Sequence, residues 1–159
     1  TPLLTNYAVL EDRKTHGTVG QALTASAWGE REITTEYVDD SNIVSLSNNR
    51  FTLDAGTYLV KWDFSFYKVK KAITRLKNVT DSAIVRSGRC VYQNGYAIVE
   101  STGIAKFTIT AQKVFAIEYF TEEATSNTST AQEGGIVGTE HADQTEDELY
   151  GQVEIFKMG

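Results

Sequence analysis

Between Phe51 and Tyr67 the chain reads FTLDAGTYLVKWDFSFY. After the turn residues Asp54, Ala55 and Gly56, the positions Tyr58, Val60, Trp62, Phe64 and Phe66 recur at every second residue. Thr57, Leu59, Lys61, Asp63, Ser65 and Tyr67 fill the positions between them. A period of two with aromatic and β-branched side chains is the signature of a strand with one buried face. A helix would gather Tyr58, Trp62 and Phe66 but turn Val60 and Phe64 to its far side. The strand reading places all five in one layer, and each large side chain so buried contributes about 1.5–3 kcal/mol. The stretch is predicted to be a central strand, with Tyr58, Val60, Trp62, Phe64 and Phe66 as core.

The rest of the chain repeats the pattern on a smaller scale. Strands are predicted over 7–12, partly over 28–37, and over 43–46, 83–89, 92–101, 104–110, 114–121 and 150–158. The segment 70–79 suits either a helix, through Ala72, Ile73 and Leu76, or a strand with Ile73, Arg75 and Lys77 outward; its strand neighbours favour the latter. Asn94-Gly95 is a hairpin signal. Asp39 to Asn42, Ser47 to Asn49 and Asn78 to Ser82 read as turns. Eight to ten strands without a convincing helix predict an antiparallel β-sandwich, with the first and last strands paired in one sheet.

The length of 159 residues suits a single domain spanning 1–159. No apolar run approaches the roughly 18 residues of a membrane span, so membrane insertion is not expected. A single cysteine, Cys90, excludes an internal disulfide; it reads as a small core residue. The net charge of −6 is divided: 122–148 holds eight carboxylates and no Lys or Arg, leaving 13 of the 21 carboxylates to face all 15 basic residues. This segment is predicted to be a long acidic surface loop. One reading of it and of the basic stretch 61–89 is two solvated surfaces. The other is a pair of complementary contact patches, with Glu140, Asp143, Glu146, Asp147 and Glu148 meeting basic side chains of a partner. The basic stretch is too modest for nucleic acid.

Catalytic chemistry finds little purchase. His16 and His141, the only imidazole bases, lie in polar stretches. There is no nucleophile elbow, phosphate loop, His/Cys metal spacing or cofactor motif. His141, Asp143 and Glu146 to Glu148 have oxygens for a cation, but their spacing matches no known calcium loop, and a solvated acidic loop is the simpler reading. Asp39-Asp40 would point to opposite faces of a strand and suit a turn better than paired acid–base work. The expectation is a protein that is not an enzyme and carries no cofactor or metal.

Phe51-Thr52-Leu53 followed by Gly56-Thr57-Tyr58 resembles the F-x-x…G-x-Y signature of the tumour necrosis factor and complement globular-head superfamily. Ala55 stands where complement-type domains often carry proline. The segments IVSLSNNRFTLDAGTYLV, LKNVTDS and VEIFKM, at 43–60, 76–82 and 153–158, resemble a phage- and bacterium-encoded branch of that superfamily. The resemblance implies a homotrimeric jelly roll on a virion surface, assembled in the host cytoplasm. Its role would be a capsid decoration or cement protein bound to the major capsid protein or another virion protein. A fibre or spike knob that binds a host receptor or surface glycan is the alternative. The start of the first strand so close to Thr1 favours a free-standing decoration protein. In such a trimer one sheet has an outer side left uncovered by its own chain. On the G-x-Y strand that side carries Leu59 and Tyr67; if Val153 and Ile155 face the core, the last strand adds Tyr150, Phe156 and Met158. These five are the candidate trimer interface. A one-residue slip of the last strand would exchange its two faces.

Overall fold

The structure is a computed structural model and is described for residues 6–94, 97–123 and 145–159. All regular structure among these residues is β. The strands are β1 (Tyr7–Lys14), β2 (Gly29–Glu30), β3 (Thr35–Val38), β4 (Val44–Ser47), β5 (Arg50–Leu53), β6 (Gly56–Tyr67), β7 (Lys71–Asn78), β8 (Ala83–Ser87), β9 (Val91–Tyr92), β10 (Ile98–Ile109), β11 (Lys113–Thr121) and β12 (Glu148–Met158). They form two antiparallel sheets packed as a sandwich. The five-stranded sheet runs β10-β6-β12-β1-β3, and the seven-stranded sheet β4-β5-β11-β7-β8, with β2 added beside β11 and β9 beside β7. The first and last strands pair from Tyr7↔Phe156 to Lys14↔Glu148.

β6 is flanked by β10 and β12, and Tyr58, Val60, Trp62, Phe64 and Phe66 are all buried between the sheets. Two of its rings need glycine on the neighbouring strands. A Cβ on Gly103 would fall 2.0 Å from the Trp62 ring, and one on Gly151 2.2 Å from the Phe64 ring. Gly103 therefore does not break a strand. The predicted strands 92–101 and 104–110 are corrected to one continuous strand, β10, paired with β6 over its whole length. The hairpin expected at Asn94-Gly95 is corrected too: β9 pairs with β7 in one sheet and β10 with β6 in the other. Segment 70–79 is a strand, but an interior one, between β11 and β8. Cys90 is exposed, which corrects its assignment to the core.

At the middle of the sandwich a buried polar chain joins the sheets. Trp62 Nε1 donates to Thr74 Oγ1 (2.8 Å), Thr74 Oγ1 shares a hydrogen bond with Ser101 Oγ (2.8 Å), and Ser101 Oγ donates to the Arg89 carbonyl (2.7 Å). The turn residues act as their types suggest: Asp39 caps the amides of Ile43 and Val44, and Asn78 binds the Asp81 amide and carboxylate.

Candidate assembly interface

The outer side of the five-stranded sheet is built by the strand alternation that builds the core. With Val153 and Ile155 fully buried, Phe156 and Met158 point outward from β12. Register places Phe156 opposite Leu59 on β6 and Tyr7 on β1, and the Tyr7 and Phe156 rings stack at 6.1 Å. Met158 is 42% exposed, while Leu59 and Phe156 are half-buried. One apolar row thus crosses three strands with nothing from the described residues laid over it.

Two of the five predicted interface residues do not belong to this row. The β1–β12 register shifts between Asp12 and Arg13, so that Asp12 faces Gly151 and Arg13 faces Leu149. Tyr150 is the extra residue of this β-bulge, which reverses the alternation. Its ring turns into the core, and its hydroxyl donates to the Thr18 carbonyl (2.7 Å), with Glu148 Oε2 3.1 Å from the same oxygen. Tyr67 is also buried: it ends β6, and Lys68 follows with φ 54°, so strand alternation no longer sets its exposure.

A row of charge lies beside the apolar row. Lys61 on β6 reaches Glu154 on β12 at 3.7 Å. Burial, then the charges of Glu100 and Glu154, push the Asp63 carboxyl above its ordinary value, and Lys61 offsets this only in part. The sheet ends at β10, a twelve-residue edge strand from which Ile98 and Ile104 project at 53% and 49% exposure. Long edges with exposed apolar side chains are ready templates for pairing, and folded proteins normally cover them. Around this edge runs a cleft of about 500 Å³, lined on one side by Lys61, Asp63 and Glu154 and on the other by Arg86 and Arg89.

The acidic segment gives a mixed result. Glu140 and Asp143 lie outside the described residues. Glu122 and Glu123 pair within the chain, with Lys71 at 3.6 Å and Lys70 at 2.7 Å. Asp147 stands 3.9 Å from Arg13 and is half exposed, and Glu146 is exposed. Glu148 is buried against Tyr150, so its expected contact with a partner is corrected: its carboxylate is engaged by its own chain.

Sequence reasoning missed a buried ionic cluster. Arg31, fully buried, donates its amide to the Ile117 carbonyl on β11 and reaches across the sandwich to the carbonyls of Ser65 (3.0 Å) and Tyr150 (3.4 Å). Its guanidinium lies 4.6 Å and 4.8 Å from the ring centres of Phe64 and Phe66. Burial pushes its pKa down to about 9, opposed by the charge of Asp12. Asp12 is wholly buried, and burial holds its carboxyl above the ordinary range against the pull of Lys14 and Arg31. Lys14 sits 3.2 Å from Asp12, an ion contact that falls short of a hydrogen bond, and binds Glu32 directly. Lone charged residues at non-periodic positions offer no sequence signal for such a cluster. Among the described residues no three His, Cys, Asp or Glu side chains converge as metal ligands.

No protein-family model and no curated protein sequence matches the chain. Solved structures do. The globular domain of the zebrafish complement 1qA protein superposes with a TM-score of 0.58 at 15% identity, over 97% of each chain. The fold is a complement- and TNF-like jelly roll. Murine APRIL at pH 8.0 shares it at 9% identity and a TM-score of 0.57, over 96% of this chain and 99% of its own. At these identities the likeness concerns the jelly roll alone.

Proposed function

We propose that this chain is a non-enzymatic structural protein of a bacteriophage particle. It acts as a homotrimeric decoration or cement protein on the capsid, held by the major capsid protein or another virion protein. The observation that carries the trimer is the outer side of the five-stranded sheet, where Leu59, Phe156 and Met158 form an apolar row and Ile98 and Ile104 project from the twelve-residue edge strand β10. Soluble monomers avoid such a surface, and burial around an axis removes it from water in every copy. The threefold symmetry and the virion setting rest on the sequence resemblance of segments 43–60, 76–82 and 153–158. Sedimentation tests the trimer: a 17.6 kDa chain running as a monomer at micromolar concentration ends it, and Leu59→Ser with Phe156→Ser should dissociate it. Locating the chain's density on the particle by cryo-EM tests the setting.

A fibre or spike knob is the second reading. Its support is an apolar cleft of about 540 Å³ on the other sheet, lined by Ile73, Val91, Tyr92 and Phe120, with Tyr92 61% exposed. Pockets of this size and lining suit small ligands, a host glycan included. Binding of the purified trimer to host cells or glycan arrays, lost with Tyr92→Ala, would favour it.

A further inference from the structure

The basic stretch 61–89 is largely neutralised within the chain: Lys70 pairs with Glu123, Lys71 with Glu122, and Arg75 and Lys77 both with Glu118. The exceptions gather in the cleft of about 500 Å³ at the β10 edge. Arg86 and Arg89 line one wall; both are exposed, and neither has an ion pair among the described residues. Half-buried Asp63 lines the other wall, and it too lacks an ion pair or a side-chain hydrogen bond among the described residues. Its neighbours leave it so. Lys61 is drawn to Glu154 at 3.7 Å, and burial, then the charges of Glu100 and Glu154, act against the ionised Asp63 carboxyl. The arginine wall is pinned to both sheets: the Arg89 amide donates to the Thr102 carbonyl on β10, and the Gly88 amide to the Thr74 carbonyl on β7. Between the walls the cleft is lined by Gly103 and by Ile104, whose side chain is half exposed.

A cleft with unpaired cations on one wall and an unpaired anion on the other selects its occupant by charge. A plain anion would meet the arginines but bring like charge to Asp63 and Glu154. A plain cation would meet Asp63 but face Arg86 and Arg89. A neutral molecule would leave all three side chains without a counter-charge. A dipolar molecule, anionic at one end and ammonium at the other, pairs both walls, and its carbon spacer can lie on Ile104. Arginine suits the anionic end, because the guanidinium fork binds two oxygens of a carboxylate or phosphate at once. We propose that this cleft binds a small zwitterion, its carboxylate or phosphate held by Arg86 and Arg89 and its ammonium by Asp63. The whole cleft belongs to one chain, so the inference stands apart from the trimer reading.

An NMR titration of the full chain tests it. The probes are 4-aminobutyrate and phosphoethanolamine, with butyrate and butylammonium as their single-charge counterparts. At least one zwitterion should shift the Gly88 and Gly103 amides and the Trp62 indole N–H, which lie in or against the cleft. Each single-charge probe should bind about tenfold more weakly or worse. The tighter of the two zwitterions tells a carboxylate ligand of amino-acid type from a phosphate ligand of headgroup type. Arg86→Gln with Arg89→Gln, and separately Asp63→Asn, should each weaken binding by about tenfold or more, with the amide dispersion of the folded chain retained. If a variant misfolds, the comparison of probes on the wild-type chain decides alone. No shift at these groups with either zwitterion overturns the inference, as do variants that bind like wild type. Butyrate bound as tightly as 4-aminobutyrate overturns it too, leaving an anion site only. Sedimentation of the same sample reads the trimer separately, so a monomer that binds the zwitterion sinks the trimer and supports the cleft.

Discussion

The two ends of the sandwich interior solve the same problem with different chemistry. At one end Tyr58, Phe107, Phe115 and Phe51 follow one another, with ring centres 6.0, 5.1 and 5.7 Å apart. At the other, beyond Trp62, the space between the sheets is filled by Arg31 stacked on Phe64 and Phe66, with Asp12 and Lys14 beside it. The apolar end gains from removal of surface from water and depends on shape. The ionic end gains little net energy from its charges, because desolvation offsets most of their attraction. Its hydrogen bonds nevertheless bind β6 and β12 to a segment that runs along β11. The apolar end tolerates a change of residue of similar volume. The ionic end tolerates no change that removes one charge and leaves its partner.

The largest expected effect is at the boundary between the two ends. Trp62→Ala opens a cavity beside Gly103 and strands Thr74, and should cost about 3–5 kcal/mol in urea unfolding. Arg31→Ala should follow closely, at about 3–5 kcal/mol, because it leaves Lys14 as the one cation beside buried Asp12 and takes the donor from the Ser65 and Tyr150 carbonyls. Pairing Arg31→Met with Asp12→Leu should recover most of that loss; if the double variant is as unstable as Arg31→Ala, the ionic end contributes through something other than charge balance. Thr74→Val keeps the shape and removes the hydrogen-bond relay, for about 1–3 kcal/mol.

The smallest effect is in the pH dependence. Burial raises the folded Asp12 carboxyl above its unfolded value of about 3.9, so the folded state holds the proton more tightly. The stability from this group is fully present below that unfolded value and is lost as pH rises through the raised one. Asp12→Asn has no such titration. The stability of Asp12→Asn relative to wild type should therefore be higher at pH 7 than at pH 4. A gap that is constant or widens toward acid would contradict the burial of an ionised Asp12 beside Lys14 and Arg31.

Much of the fold was legible because period-two alternation writes the buried face of a strand directly into the sequence. Tyr58 to Phe66, the β1–β12 pairing and Phe156 were readable on that ground. What escaped were departures from the period. The bulge before Gly151 turned Tyr150 inward, and the end of β6 hid Tyr67. Gly103 read as a break between strands because its role is to make room for a ring 41 positions away in the chain. Arg31 and Asp12 gave no signal, since a charged residue is buried only when distant partners converge on it. The apolar row of the candidate interface was thus legible in part, and the charge pattern around it only once the strands were in register.

The placement of β12 between β6 and β1 also governs when the protein can fold. As the chain leaves the ribosome, β1 emerges early, but its partner along its whole length is the stretch that ends at Met158. Until then β1 and β6 have no strand to join them, and the five-stranded sheet cannot close. Contacts between such distant segments slow folding and leave strand edges bare in the meantime. The seven-stranded sheet has no such delay, since β4, β5, β7, β8 and β11 are complete by Thr121. Folding is therefore expected to begin on that sheet during synthesis and to finish only once β12 can reach β1 and β6. Ribosome-bound chains ending near residue 145 should resist protease in the seven-stranded sheet and be cleaved readily in β1.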